Sequence, residues 1–225
     1  LAHGLNGFCS PPIYYPYPNV LAYSDNLLGI SVVMAPVQWI SGDPFLTYNV
    51  ALLLSFVIAG VGAYALALEL TQSRAAALVA ALGFAFAPYR WAQLTHLQVL
   101  WTAWLPLVLW ELHRAIRTSQ LSHWAVFVVF LVLQVLSNGY SGFQVAIAIA
   151  VIAVGAVLMR QVDRPTILRL VGPLEVAGLM PVPVVLAHVK VWGARDPTPG
   201  DLASYGADLS TYLNVHPDLP DSSWL

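Results

Sequence analysis

Residues 47–69 read "TYNVALLLSFVIAGVGAYALALE". Apart from Asn49 and Ser55 the stretch is apolar up to Glu69, and at about 1.5 Å per residue it is long enough to cross a hydrocarbon core of about 30 Å. The rest of the chain agrees with this reading. Of 225 residues, 59% are hydrophobic and 9% charged, against roughly 25% charged in soluble domains, and the mean hydropathy is +0.72. The composition predicts a membrane protein. With nine Lys and Arg and a formal net charge of -2, nothing suggests a nucleic-acid partner, because phosphate binding needs clustered cations. The single cysteine, Cys9, excludes an internal disulfide, so the compartment has to be read from topology.

Outward from the first span, the basic hinge "TQSR" (71–74) leads to an apolar run from Ala75 to Ala87 that stops at Pro88. Further runs cover Val99–Leu112, Trp124–Leu136, Phe143–Met159 and about Leu170–Leu186. Polar connections separate them: "PYRWAQLTHLQ" (88–98), "HRAIRTSQLSH" (113–123), "SNGYSG" (137–142) and "RQVDRPTILR" (160–169). The third of these, with two glycines and an asparagine in six residues, is a compact turn signal. "NLLGISVVMAPVQWIS" (26–41) is apolar but short and carries Pro36, so it is expected to lie in the outer interface with Trp39 at headgroup depth. The alternative is a seventh crossing.

The predicted fold class is therefore all-α, a polytopic transmembrane helical bundle of about six spans plus an interfacial helix. Residues 1–42 form an outer loop with that helix, 43–189 the bundle, and 190–225 an outer loop or the start of a further domain. Within the first of these, "YYPYPNVLAYSD" (14–25) has prolines at 16 and 18, which remove amide donors and fix φ, so an extended or turned loop is expected. The chain opens at Leu1 without a signal-like start and stops in polar sequence, and is expected to be a fragment with at least one segment upstream.

The positive-inside rule orients the bundle. Six crossings put both termini on one side. The loops opposite them hold Arg74, Arg114, Arg117, Arg160, Arg164 and Arg169, six in all, and the terminal side holds Arg90, Lys190 and Arg195, which is three. Both ends are thus predicted to face away from the cytoplasm.

No nucleotide-binding glycine motif, HExxH or CxxC pattern occurs, and no metal ligands are predicted. The candidates for chemistry are polar residues on the outer side. Asp25 stands at the entrance to the interfacial helix, where a carboxylate serves either as an N-cap or as a placed base. In the 88–98 connection Tyr89, Gln93 and His96 share a face if the segment is helical. There Arg90 would bind a phosphate by its planar fork and His96 would move a proton, whereas Tyr89, Trp91 and Arg90 would otherwise serve as interface anchors. Asn138 and Tyr140 belong to an outer turn, where turn chemistry alone would also explain the asparagine. Glu175, in the sixth span, is an acid at a costly depth that would face a cavity or bond a neighbouring helix. Glu69 and Glu111, near the cytoplasmic helix ends, read as interface contacts.

Four stretches, "YYPYPNVLAYSDNLLG" (14–29), "YNVALLLSFVIAGVGAYALALELT" (48–71), "AFAPYRWAQLTHLQVLWTAWLPLVLWELHR" (85–114) and "LSNGYSGF" (136–143), together resemble bacterial multi-spanning membrane proteins of the GT-C glycosyltransferase superfamily. The resemblance covers most of residues 11–145. It implies an inner-membrane enzyme that takes a sugar from a polyprenyl-phosphate carrier and transfers it to an acceptor on the outer face, with membrane lipid and the lipid-linked sugar as partners. A divalent cation is compatible with that chemistry. In the superfamily the catalytic acid usually sits in the first outer loop, which makes Asp25, or an acid upstream, the expected base, with Arg90 and His96 facing the phosphate. Arg90→Ala is then expected to abolish transfer at normal expression. A transporter or lipid flippase is the alternative, and Glu175 beside Gly172 and Pro173 is the feature that fits it.

Overall fold

The computed structural model describes residues 22, 23, 25, 27–159 and 164–192. The loop at 14–21, Cys9, Arg160 and the acids and prolines of the tail beyond 192 lie outside the described residues. Every regular element among the described residues is helical: α1 (Leu28–Ser41), α2 (Pro44–Thr71), α3 (Arg74–Ala85), α4 (Pro88–Ala92), α5 (Leu97–Leu100), α6 (Trp104–Thr118), α7 (Leu121–Ser137), α8 (Gly139–Leu158), α9 (Arg164–Leu179) and α10 (Val182–Trp192), with a 3₁₀ turn at Trp101–Ala103. Two compact units result, one of Leu1–Tyr23 with Val185–Leu225 and one of Ser24–Val184. Of the first, the described part is residues 22–23 and most of α10. The second holds α1 to α9 and the start of α10.

Local sequence explains most helix ends. Pro44 opens α2 at its first turn, where no amide is needed, and Asp43 Oδ1 accepts from the amides of Phe45 and Leu46 at 2.8 and 3.2 Å. Ser73 caps α3 through the Ala76 amide at 3.3 Å, after Gln72 turns the chain with a φ of 54°. The "TQSR" hinge thus closes a helical hairpin. Its two arms meet through Ala59, Ala77, Ala81 and Ala85, small residues that let backbones approach closely. Asp25 does not cap α1. Leu27 holds that position, in the left-handed region and without a side-chain bond, so the N-cap expectation for Asp25 is corrected.

Among the described residues three helical stretches are long and apolar enough to cross a membrane: Pro44–Thr71, Arg74–Ala92 and Gly139–Leu158; the interrupted pair Leu168–Leu179 and Val182–Val191, taken as one span, makes a fourth. Their outward faces are apolar, with Leu53, Val57 and Val61 on α2 and Val151, Val154 and Leu158 on α8 exposed. Apolar surface on that scale needs a nonaqueous neighbour, so the protein is membrane-associated. α1 spans 14 residues, roughly 20 Å of rise, too short to cross a core of about 30 Å. The third apolar run of the sequence, Val99–Leu112, is not one helix. It is divided by the 3₁₀ turn because Leu97, Leu100 and Trp101 fold back to bury themselves: Leu97 and Trp101 cluster with Ile30, Met34 and Ala51.

Candidate functional site

Residues 86–104 are where the helices are most broken, and the break is organised by Arg90. α3 ends at Ala85, Pro88 restarts a single short helix at its first position, and Gln93 leaves helical geometry. Arg90 is 4% exposed. Its Nη1 donates to the carbonyl of Leu100 at 2.9 Å and to Thr102 Oγ1 at 3.4 Å, and Nη2 donates to the Ser55 carbonyl at 3.2 Å and Ser55 Oγ at 3.4 Å. The guanidinium also lies 4.8 Å from the centroid of the Phe56 ring. From the other side, Gln134 Nε2 donates to the next carbonyl, that of Trp101, at 3.2 Å. Irregular backbone inside a membrane bundle must be satisfied by protein groups, and Arg90 and Gln134 do this for successive carbonyls. The phosphate fork expected of Arg90 is therefore not open. Both terminal nitrogens are engaged, and Nε is the donor left without a partner among the described residues.

The shared face expected of Tyr89, Gln93 and His96 does not form, because the helix ends at Ala92 and a turn intervenes. Tyr89 points outward at 62% exposure, Gln93 is half-buried, and His96 is exposed, with Nδ1 3.2 Å from Thr95 Oγ1. Asn138 is buried as the N-cap of α8, its Oδ1 accepting from the Ser141 amide at 3.1 Å. Turn chemistry accounts for it. Tyr140 beside it is 79% exposed.

One end of the bundle nevertheless collects several of these residues. Gly29 on α1 packs directly on Leu133 and Ser137 of α7, next to Asn138, and Leu97 packs with Ile30 and Met34. Between α1 and α2 runs an apolar groove of about 420 Å³, crossed by a hydrogen bond from Thr47 Oγ1 to Gln38 Oε1 at 2.9 Å. Leu27 and Leu97 both line it. In the chain they stand two residues from half-buried Asp25 and next to exposed His96, neither of which lines the groove. Glu175 does not join them. It is exposed on α9 and lines a separate cavity with Trp124 near the start of α7, about 20 Å of helix from Asn138. Among the described residues no three His, Cys, Asp or Glu side chains come together to hold a metal.

Sequence reasoning missed a polar cluster that ties α2, α6 and α7. Glu111 is buried, with His123 Nδ1 2.7 Å from its Oε2 and Arg114 Nη1 3.4 Å from its Oε1, and Arg117 reaches Glu69 at 2.9 Å. Glu111 is thus not the plain interface contact expected. Its position inside an apolar run was a signal for internal pairing, as was that of Gln134. Glu111→Ala should cost about 1–3 kcal/mol by leaving His123 and Arg114 without their acceptor. A double-mutant cycle with His123→Ala in thermal unfolding checks it, and strict additivity would show that the pair is not coupled.

No curated protein and no solved structure matches the chain. A family model described as a domain of unknown function, DUF6311, matches residues 6–223, nearly the whole chain, and the chain belongs to that family.

Proposed function

We propose that the protein is a membrane glycosyltransferase of the GT-C type, moving a sugar from a polyprenyl-phosphate carrier to an acceptor on the outer face of a bacterial inner membrane. The observation that supports this reading is an apolar groove in a membrane protein whose lining residues Leu27 and Leu97 are close chain neighbours of Asp25 and His96. An isoprenoid chain suits the groove, and the phosphate would then emerge near the imidazole. In the reaction, the acceptor hydroxyl oxygen attacks the anomeric carbon while the Asp25 carboxylate takes its proton. The bond from the anomeric carbon to the carrier phosphate breaks, and polyprenyl phosphate leaves with His96 donating to its oxygen. Gln93, Tyr89 and Tyr140 border the sugar side, and Arg90 holds the wall behind them instead of touching the phosphate. In this topology α2, α3 with α4, α5 through α6, α7, α8 and α9 with α10 make six crossings, and α1 lies in the outer interface.

The test is transfer from radiolabelled polyprenyl-phosphate sugars by membranes containing the full-length protein. Asp25→Ala and His96→Ala are each expected to lower transfer at least 100-fold, as loss of a general base or acid typically does, at unchanged protein level. Wild-type activity in both would remove the active site from this mouth. Interrupted helices at 93–103 and 180–181 favour a second reading, a transporter. Absence of transfer with every donor, together with passage of labelled lipid across sealed vesicles, would support it.

A further inference from the structure

A second cavity, of about 540 Å³, lies between the first two turns of α7 and the middle of α9. Its walls are apolar, with Trp124, Val128, Pro173 and Val176, but two charges stand in it, Arg169 and Glu175. Both charges are exposed, and neither forms an ion pair among the described residues. Trp124 adds a third polar feature. Its side chain is buried at 6% exposure, and its indole N–H has no hydrogen-bond partner among the described residues. The buried indole N–H is costly to leave without an acceptor, and the two exposed charges beside it offer a ligand one partner of each sign.

The cavity also has a defined neighbour. Leu168, Val171 and Leu174 on α9 are exposed and apolar, and this stretch belongs to the candidate span formed with Val182–Val191, so lipid is the medium beside it. Arg169 and Glu175 are roughly 9 Å apart in axial rise. Both side chains lean toward the helix N-terminus, so this axial separation is kept. At that separation the two charges can bracket a short zwitterion.

We propose that this cavity binds one phospholipid with a phosphoethanolamine headgroup. The phosphate sits against Arg169 and the Trp124 indole N–H, the primary ammonium donates to the Glu175 carboxylate, and the first part of an acyl chain lies on Val128, Pro173 and Val176. Arginine suits the phosphate because its planar fork matches two oxygens. Glu175 sets the choice of headgroup. It repels the net negative charge of phosphatidylglycerol, and it gains no N–H bond from the quaternary ammonium of phosphatidylcholine. This site is distinct from the groove between α1 and α2 and does not depend on a glycosyltransferase activity.

The experiment incubates the purified full-length protein with mixed micelles of phosphatidylethanolamine, phosphatidylglycerol and phosphatidylcholine in equal amounts. Lipid retained after gel filtration is then counted by mass spectrometry. Wild type is expected to keep about one phosphatidylethanolamine per chain, roughly tenfold over either competitor, a factor worth about 1.4 kcal/mol. Arg169→Gln should lose retention of all three, Trp124→Phe should weaken it several-fold, and Glu175→Gln should abolish the preference over phosphatidylglycerol. Equal retention of the three lipids by wild type, a preference for phosphatidylglycerol, or unchanged retention in Arg169→Gln would overturn the proposal. The wild-type preference is read without any variant, so a variant that fails to fold does not shield it.

Discussion

Arg90→Ala is expected to destabilise the folded protein by roughly 3 kcal/mol, from the loss of two charge-assisted hydrogen bonds of about 1.5–3 kcal/mol each less local relaxation. The two bonds that matter are those to the carbonyls of Leu100, 2.9 Å away, and of Ser55, 3.2 Å away: the first ties the two halves of the broken segment to each other and the second joins it to α2. Without the guanidinium, the Leu100 carbonyl sits in an apolar bundle with no water to replace the lost donor. Arg90→Lys is expected to rescue little. A lysine carries one ammonium on a flexible stem, whereas the arginine fork reaches two elements at once. Thermal unfolding in detergent and the yield of monodisperse protein measure the effect. A variant as stable as wild type, with transfer alone abolished, would return Arg90 to the phosphate role that its sequence context suggested.

Gly29→Val should be at least as damaging. A β-carbon built on Gly29 collides with the Leu133 carbonyl oxygen and with Ser137 Oγ, and it comes within 2.9 Å of the Ser137 amide nitrogen. Two of these three obstacles are backbone atoms of α7, so no side-chain rotation removes the clash. Overpacking of this kind typically costs about 1–3 kcal/mol for added methyl groups, and a branched side chain against a backbone belongs at the upper end. The consequence is local as well as global, because Ser137 immediately precedes the Asn138 cap of α8. Gly29→Ala provides the graded test, with a smaller loss of thermal stability expected than for valine. Equal stability of both variants and wild type would mean that α1 does not rest on α7 as described.

The apolar runs read at 47–69 and 143–159 match the helices Pro44–Thr71 and Gly139–Leu158 because each depends on its own composition, whereas the caps at Asp43 and Ser73 went unread although each bond reaches only two or three residues along the chain. The candidate site was legible only as a group of polar residues. The turn at 93–96, which breaks the face expected of Tyr89, Gln93 and His96, is set by the burial of Leu97, Leu100 and Trp101 against α1 and α2, and no local signal announces that. In the same way the sequence leaves Glu175 facing either a cavity or a neighbouring helix, and the fold shows that it lines a cavity. Its position along α9 is a sequence property, but the neighbour it faces is α7.

Sequence by itself determined that this is a helical membrane protein and where its main apolar helices run, since hydrophobic length is a short-range property. Tertiary structure alone decided what its polar residues do. Arg90 meets Ser55 across 35 positions and Gln134 meets Trp101 across 33. In an apolar surrounding a buried donor or acceptor takes whichever partner packing brings within about 3 Å, and packing is a property of the assembled helices.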